Sequence, residues 1–154
     1  LDTKQFTMRT GGRTFDAAAF LRRSGADTGD VKKLFQNDLE GTISRYNIIQ
    51  NARMYKAGIA VAKVDHTIGR VTAAQAADEL LNISGIEASF VLFPDGERVI
   101  LSARSMGDIN VQVILEKLGG GGNAATAGAQ VANPSVDAVF KQLLQAIDQY
   151  LSDE

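Results

Sequence analysis

Residues Ser102 to Gln130 read S-A-R-S-M-G-D-I-N-V-Q-V-I-L-E-K-L-G-G-G-G-N-A-A-T-A-G-A-Q. The stretch opens with small polar residues around a guanidinium: Ser102, Arg104 and Ser105. A short amphipathic helix is expected over Asn110 to Leu118. Four consecutive glycines follow, Gly119, Gly120, Gly121 and Gly122, then Asn123 and a run of small residues. Glycine loses more backbone freedom on folding than any other residue. A chain keeps four in a row where the backbone needs positive φ, or where something must approach the main chain closely. Bare N–H groups in such a turn can converge on an anion as a nest, and Arg104 is a planar partner suited to phosphate. A flexible linker is the alternative. Patterned apolar sequence on both sides, and the absence of serine from the run, argue against it.

Upstream of this stretch, Gly58 to Val64 (GIAVAKV) is a β-branched apolar run and reads as a buried strand. Thr72 is the expected cap of a helix through Leu81, with Ala73, Ala76, Ala77, Leu80 and Leu81 on its inner face. Ile86 to Phe93 is a strand, Pro94-Asp95-Gly96-Glu97 a turn, and Arg98 to Arg104 the returning strand of a hairpin. Asn110 is the cap of the next helix, with Val111, Ile114, Leu115 and Leu118 apolar. Beyond the glycines, Ala124 to Ala132 reads equally as a small-residue helix or an extended piece. Ser135 opens a last helix whose Val136, Val139, Phe140, Leu143, Leu144, Ile147 and Leu151 fall on one stripe. Asp38 to Tyr55 is expected to be mostly helical, with Leu39, Ile43, Tyr46, Ile49 and Ala52 or Arg53 along one side. Before it, Thr14 and Asp27-Thr28 start two shorter helices. The fold class is α/β (α+β): a central mixed β-sheet flanked by helices, preceded by a helical segment. A boundary near Asn37 divides residues 1–37 from 38–154.

The 154 residues suffice for one ordinary domain, or a domain plus a fragment. Apolar content of 45% and charge of 22% are those of a globular chain, and the net charge of −2 gives no strong field for nucleic acid. The absence of cysteine excludes disulfides and thiolate chemistry. No apolar run approaches a membrane span, so no membrane contact by these residues is expected. The chain begins without methionine in a segment that reads as mid-domain, and is expected to be a piece of a longer protein.

The motifs S-x-R-S, N-V-Q, L-G-G-G-G and A-G-A-Q resemble the C-terminal substrate-binding domain of the DHH phosphoesterases, nearest the bacterial branch that hydrolyses cyclic di-AMP. Other segments carry the same resemblance: L-D-T-K-x-F and R-T-F-x-A-A within Leu1 to Asp27, I-S-R-Y at Ile43 to Tyr46, A-A-D-E-L-L at Ala76 to Leu81, and E-A-S-F-V-L at Glu87 to Leu92. The resemblance implies a two-domain enzyme in which a manganese-bearing DHH domain faces this smaller domain across a cleft. Residues 1–37 then correspond to the end of the DHH domain plus linker. Asp2 matches its last metal-ligand aspartate. The D-H-H triplet and the other ligands are not in this sequence, whose one histidine is His66. The implied cofactor is Mn²⁺ in the whole protein, with none bound to this piece, which is expected to be inactive alone. The implied partners are a cyclic or linear adenine dinucleotide and the DHH domain. A cytoplasmic location is implied, with membrane anchoring of the whole protein through upstream segments left open.

Carried over residue by residue, Ser102, Arg104, Ser105 and Gly119 to Gly122 correspond to the substrate-gripping positions. The family ends its glycine run with histidine, and Asn123 stands there. Asparagine keeps a donor but is never cationic, so reduced affinity and no proton-transfer role are expected. Two other readings stay open. One is a single-stranded nucleic-acid binding module, which needs a basic, aromatic-lined groove. The other is a degenerate regulatory domain. His66 beside Asp65 reads as a solvated loop residue rather than a metal ligand. Arg22-Arg23 and Lys32-Lys33 read as solvated helix faces. Phe90 alternates into the core, with Phe93 and Phe140 open. The last helix packs on its own sheet by default, with a homodimer face as the alternative.

Overall fold

The computed structural model describes residues 39–56 and 58–153. The chain divides into two compact units, Leu1–Ile43 and Ser44–Glu154, and the second contains the sheet. The elements run Leu39–Gln50 (α1), Ala52–Met54 (β1), Ile59–Lys63 (β2), Arg70–Leu80 (α2), Ala88–Asp95 (β3), Arg98–Ser105 (β4), Val111–Glu116 (α3), Gly121–Gly122 (β5), Thr126–Val131 (β6) and Val136–Ser152 (α4). The helices expected near Thr14 and Thr28 lie outside the described residues, as does Asp2.

Among the described residues the strands form one six-stranded sheet in the order β1-β2-β3-β4-β6-β5. β2 and β3 are parallel, joined by α2, and every other pair is antiparallel. The sheet is therefore mixed and the fold is α+β. Alternation along the strands divides the core in two. Phe90, Leu92, Val99, Leu101 and Ala103 face α3 and α4 and pack with Ile114, Leu115, Val139, Leu143 and Ile147. Ala60, Ala62, Val91, Phe93 and Ile100 face the other way, against α2 and Ile48 of α1. Phe90 and Phe93 are both fully enclosed, and the apolar stripe of α4 covers its own sheet.

The cap expected at Asn110 forms, and Ser135, expected to open the last helix, is its N-cap. The Asn110 side chain accepts from the Val113 N–H and the Ser135 side chain from the Ala138 N–H. Tyr150 of α4 reaches back to the start of α3, where its hydroxyl accepts from the Asn110 N–H at 3.0 Å. Buried Ser89 donates to the Ala77 carbonyl at 2.6 Å, fastening β3 to α2.

Four expectations are corrected. The helix expected through Tyr55 stops at Gln50, and Ala52–Met54 becomes an edge strand because antiparallel partners are available on β2. Its expected inner face holds only at its C-terminal end, where Ile49 and Ala52 pack on the core; Leu39, Ile43 and Tyr46 are 72%, 50% and 59% exposed. The inward face also takes in Arg45, which pairs with Glu79 of α2, and Ile48, which neighbours the expected Ile49 one turn later. α2 begins at Arg70 with Gly69 as its cap and no side-chain capping bond, so Thr72 is inside the helix. The hairpin turn is tighter than expected: Asp95 pairs with Arg98, leaving Gly96-Glu97, with Gly96 at φ 65.

The end of β1 is tied to α4 through Asp148. The Tyr55 hydroxyl donates to both of its carboxylate oxygens at 2.8 and 2.9 Å, and the Lys56 ammonium lies 3.0 Å away. The hydrogen bonds from Lys56 and Tyr55 hold the Asp148 carboxyl below the usual carboxylate range. A carboxylate with a lowered pKa adds stability above its unfolded-state pKa and loses it as pH falls through the folded one. Asp148→Asn is expected to unfold at lower temperature than the wild type at neutral pH. The gap should close as the solution is acidified through that window. A gap independent of pH would show that the carboxylate charge is not what matters.

Candidate functional site

Among the described residues, the α1 and α2 layer does not extend across the whole sheet. On that face β4 presents Ser102 and Arg104 beyond Ile100, and β6 presents Thr126, Gly128 and Gln130, none of them a large apolar residue. The register sets these residues in rows, because directly opposed residues share a face. Ser102 pairs with Gly128, and Gly128 with Gly121. Arg104 pairs with Thr126, whose carbonyl accepts from the Asn123 N–H at 2.7 Å. Ile100 pairs with Gln130. The middle row therefore carries one hydroxymethyl group and two hydrogens. It forms a floor of nearly bare backbone spanning three strands, about 10 Å across.

This floor lies in a groove of about 480 Å³ lined by Arg70, Ser102, Gly119, Gly120, Gly121 and Gln130 among others. That volume falls within the range of small-molecule sites. Arg70, the first residue of α2, stands on the wall and has Asp95 3.8 Å away. Gln130 is oriented by Arg98, whose Nη1 donates to its Oε1 at 2.7 Å.

The glycine run is ordered by packing and capping, and two of its four N–H groups are engaged by the helix end. Gly119, at φ 83, turns the chain off α3. The N–H groups of Gly119 and Gly120 return to the carbonyls of Glu116 and Leu115 at 3.1 and 2.8 Å, closing the helix C-terminus. Gly120 then passes directly against β6. A Cβ there would overlap the Gly128 carbonyl and lie 2.6 Å from the Ala129 Cβ. Gly122, at φ 146, is as tight, with a Cβ 2.7 Å from the Ala127 Cα. Gly121 has open space where a side chain would be. Asn123 closes the β5–β6 hairpin, its Oδ1 accepting from the N–H groups of Ala125 and Thr126 at 3.0 and 2.9 Å.

The structure thus brings Ser102, Gly119, Gly120 and Gly121 together in one groove. Arg104 stands on the same face, two residues and about 7 Å farther along β4. Its Nε is 3.1 Å from Asp78 Oδ1 on α2, rather than over the glycine corner. Ser105 is not in the groove. It falls on the opposite face of the sheet, fully buried, and its Oγ accepts from the Gly107 N–H. Arg70, Gln130, Gly128 and Asp78 were not singled out by the sequence. Gly128 and Gln130 lie inside the A-G-A-Q motif, but only the strand assignment of residues 126–131 shows which face they share. Asp78 had a signal, an acid set among the alanines of an inner helix face. Arg70 had none.

His66 is exposed, with Nδ1 3.0 Å from Asp65, whose carboxyl the histidine's hydrogen bond holds below its ordinary range. Among the described residues no group of three His, Cys, Asp or Glu side chains is placed to hold a metal ion. Among them, too, no helix is long and apolar enough to cross a membrane.

An open mixed sheet with a bare-backbone corner beside a helix wall defines an α+β domain with a groove of ligand size. The chain belongs to the DHHA1 domain family, which residues 56–153 match. It is 45% identical over 157 aligned residues to the cyclic-di-AMP phosphodiesterase PdeA of Listeria monocytogenes, covering 100% of this chain and 24% of the relative. It is 47% identical to the cyclic-di-AMP phosphodiesterase GdpP of Geobacillus thermodenitrificans, over 97% of this chain and 23% of the relative. The chain thus spans about a quarter of the length of these relatives, which are DHH-family proteins. Among solved structures, an exopolyphosphatase-related protein from Bacteroides fragilis shares the fold with a TM-score of 0.68 at 20% identity. That match covers 90% of this chain and 43% of the other.

Glycine substitutions separate packing from groove shape. Gly120→Ala is expected to destabilise the fold by about 1–3 kcal/mol, the usual range for overpacking. Gly121→Ala should leave the denaturation midpoint nearly unchanged. Equal midpoints for the two variants would show that the loop does not press against β6.

Proposed function

We propose that this chain carries the substrate-binding face of a DHH-family phosphodiesterase acting on cyclic di-AMP or on linear adenine dinucleotides. The observation that carries the reading is the bare floor of Ser102, Gly128 and Gly121 with a guanidinium toward either end. A planar base lies flat on backbone where no Cβ rises from it. Phosphate oxygens are met by guanidinium groups, which suit them in shape and charge. Arg70 and Asp78, the residue that holds Arg104, stand eight positions apart on α2, about 12 Å along its axis. A ligand with charged groups at two points fits that spacing better than a single phosphate does.

Asn123 takes up a structural role in this reading. Its carbonyl oxygen braces the hairpin, and it supplies no proton to the substrate. Ser105 is assigned to the core. Chemistry at phosphorus is assigned to Mn²⁺ in the whole protein, with Asp2 among its ligands. The described residues do not fit that metal, and what they contribute is binding and orientation. The names of the relatives support the dinucleotide, and the groove supports the place.

Calorimetric titration of the chain with cyclic di-AMP tests the reading. Saturable binding is expected, and Gly121→Leu should weaken it at least tenfold, about 1.4 kcal/mol, without lowering the melting temperature. With Mn²⁺ added, the chain alone should release no product from cyclic di-AMP above a no-protein control. Absence of binding by the wild type would sink the proposal. So would a Gly121→Leu variant that binds as well. Salt-sensitive capture of single-stranded RNA in place of the dinucleotide would assign the groove to nucleic acid.

A further inference from the structure

Arg104 and Asp78 form an ion pair that is largely withdrawn from solvent. Their side chains are 18% and 11% exposed. Asp78 projects from the second half of α2, among Ala76, Ala77 and Leu80. Arg104 projects from β4 on the face that also bears Ser102. The Nε group is 3.1 Å from Asp78 Oδ1, and Nη1 donates to the Ala103 carbonyl at 2.9 Å. The two anchors come from different elements, so they fix both the position and the plane of the guanidinium. Withdrawing two charges from water is expensive, and apolar residues of similar size commonly serve stability as well or better. A pair placed in this way on the face of the floor, two residues along β4 from Ser102, invites a role beyond joining helix to sheet.

We propose that Asp78 is a positioning residue for substrate, holding Arg104 by Nε so that Nη2 is offered to a phosphate oxygen at the end of the Ser102–Gly128–Gly121 floor. This rests on the dinucleotide reading. Asp78 does not touch the ligand. It restricts a long, rotamer-rich side chain to one arrangement before binding, which removes an ordering cost that would otherwise oppose association. It also leaves the pair nearly neutral, so Arg104 contributes geometry rather than a general attraction for anions.

A double-mutant cycle on the chain tests this, with cyclic di-AMP titrated calorimetrically and thermal unfolding recorded for each variant. Arg104→Ala and Asp78→Asn are each expected to weaken binding by about tenfold to a hundredfold, the span of one charge-assisted hydrogen bond. In the Arg104→Ala background, Asp78→Asn should have no further effect on affinity, although both changes lower the melting temperature. Arg104→Lys should bind as weakly as Arg104→Ala, because one ammonium cannot both replace Nε at Asp78 and reach the ligand. That variant decides the matter if Asp78→Asn does not fold. Additive losses, wild-type affinity in Asp78→Asn, or full affinity in Arg104→Lys would overturn the role of Asp78. If Arg104→Ala binds normally while Gly121→Leu does not, the positioning role fails and the dinucleotide reading stands. If the wild type does not bind, both fail.

Discussion

Both faces of this sheet must be covered, and among the described residues the helices cover only one of them fully. α3 and α4 enclose the face that carries Phe90, Leu92 and Leu101. On the other face the α2 layer, rich in alanine and closely applied, packs against β2, β3 and Ile100 of β4. Everything beyond that line must tolerate water. The strands there bear serine, arginine, threonine, glycine and glutamine, where a buried sheet would carry valine and isoleucine. The groove follows directly from this unequal coverage. It lies where the helix layer ends while the sheet continues.

The added edge strand makes that corner a floor. Gly120 and Gly122 approach β6 so closely that any side chain would collide with it, and the two residues of β5 extend the sheet past β6. A single short strand of this kind has little stability of its own. It is held at one end by the closing bonds of α3 and at the other by the Asn123 turn. The glycine run therefore satisfies three separate demands: a helix end, a close approach and a hairpin. An anion-binding nest would need the same N–H groups that these bonds engage. At Gly119 and Gly120 the fold takes them.

Sequence periodicity read the core well because the core is periodic. The alternation of β3 and β4 and the stripe of α4 have fixed repeats, and the caps at Asn110 and Ser135 have a local mechanism. It failed where tertiary pairing overrides local preference. Ala52–Met54 has no strand signature and becomes a strand because β2 offers an edge. Residues 126–131 are small and fit either state until β4 and β5 pair with them. The site was half legible for the same reason. Ser102 and the glycines could be named from their motif. Whether Arg104 and Ser105 fall on the same face is decided by odd and even positions on β4, and the S-x-R-S spacing in fact separates Arg104 from Ser105. Arg70 and Asp78 enter only because α2 crosses that part of the sheet.

The two arginines beside the floor differ in a way that bears on how the groove works. Arg70 is exposed, with a carboxylate at 3.8 Å; such a cation attracts anions at a distance but holds them loosely, since exposed pairs are weak and screened by salt. Arg104 is enclosed and anchored at two nitrogens. It adds little long-range field, yet it loses little freedom when an oxygen arrives. A groove with one cation of each kind separates capture from orientation. That division suits the role proposed above, in which the domain binds a dinucleotide and presents it in a fixed pose to chemistry located elsewhere, where a small error in placement of the phosphorus would slow the reaction severely.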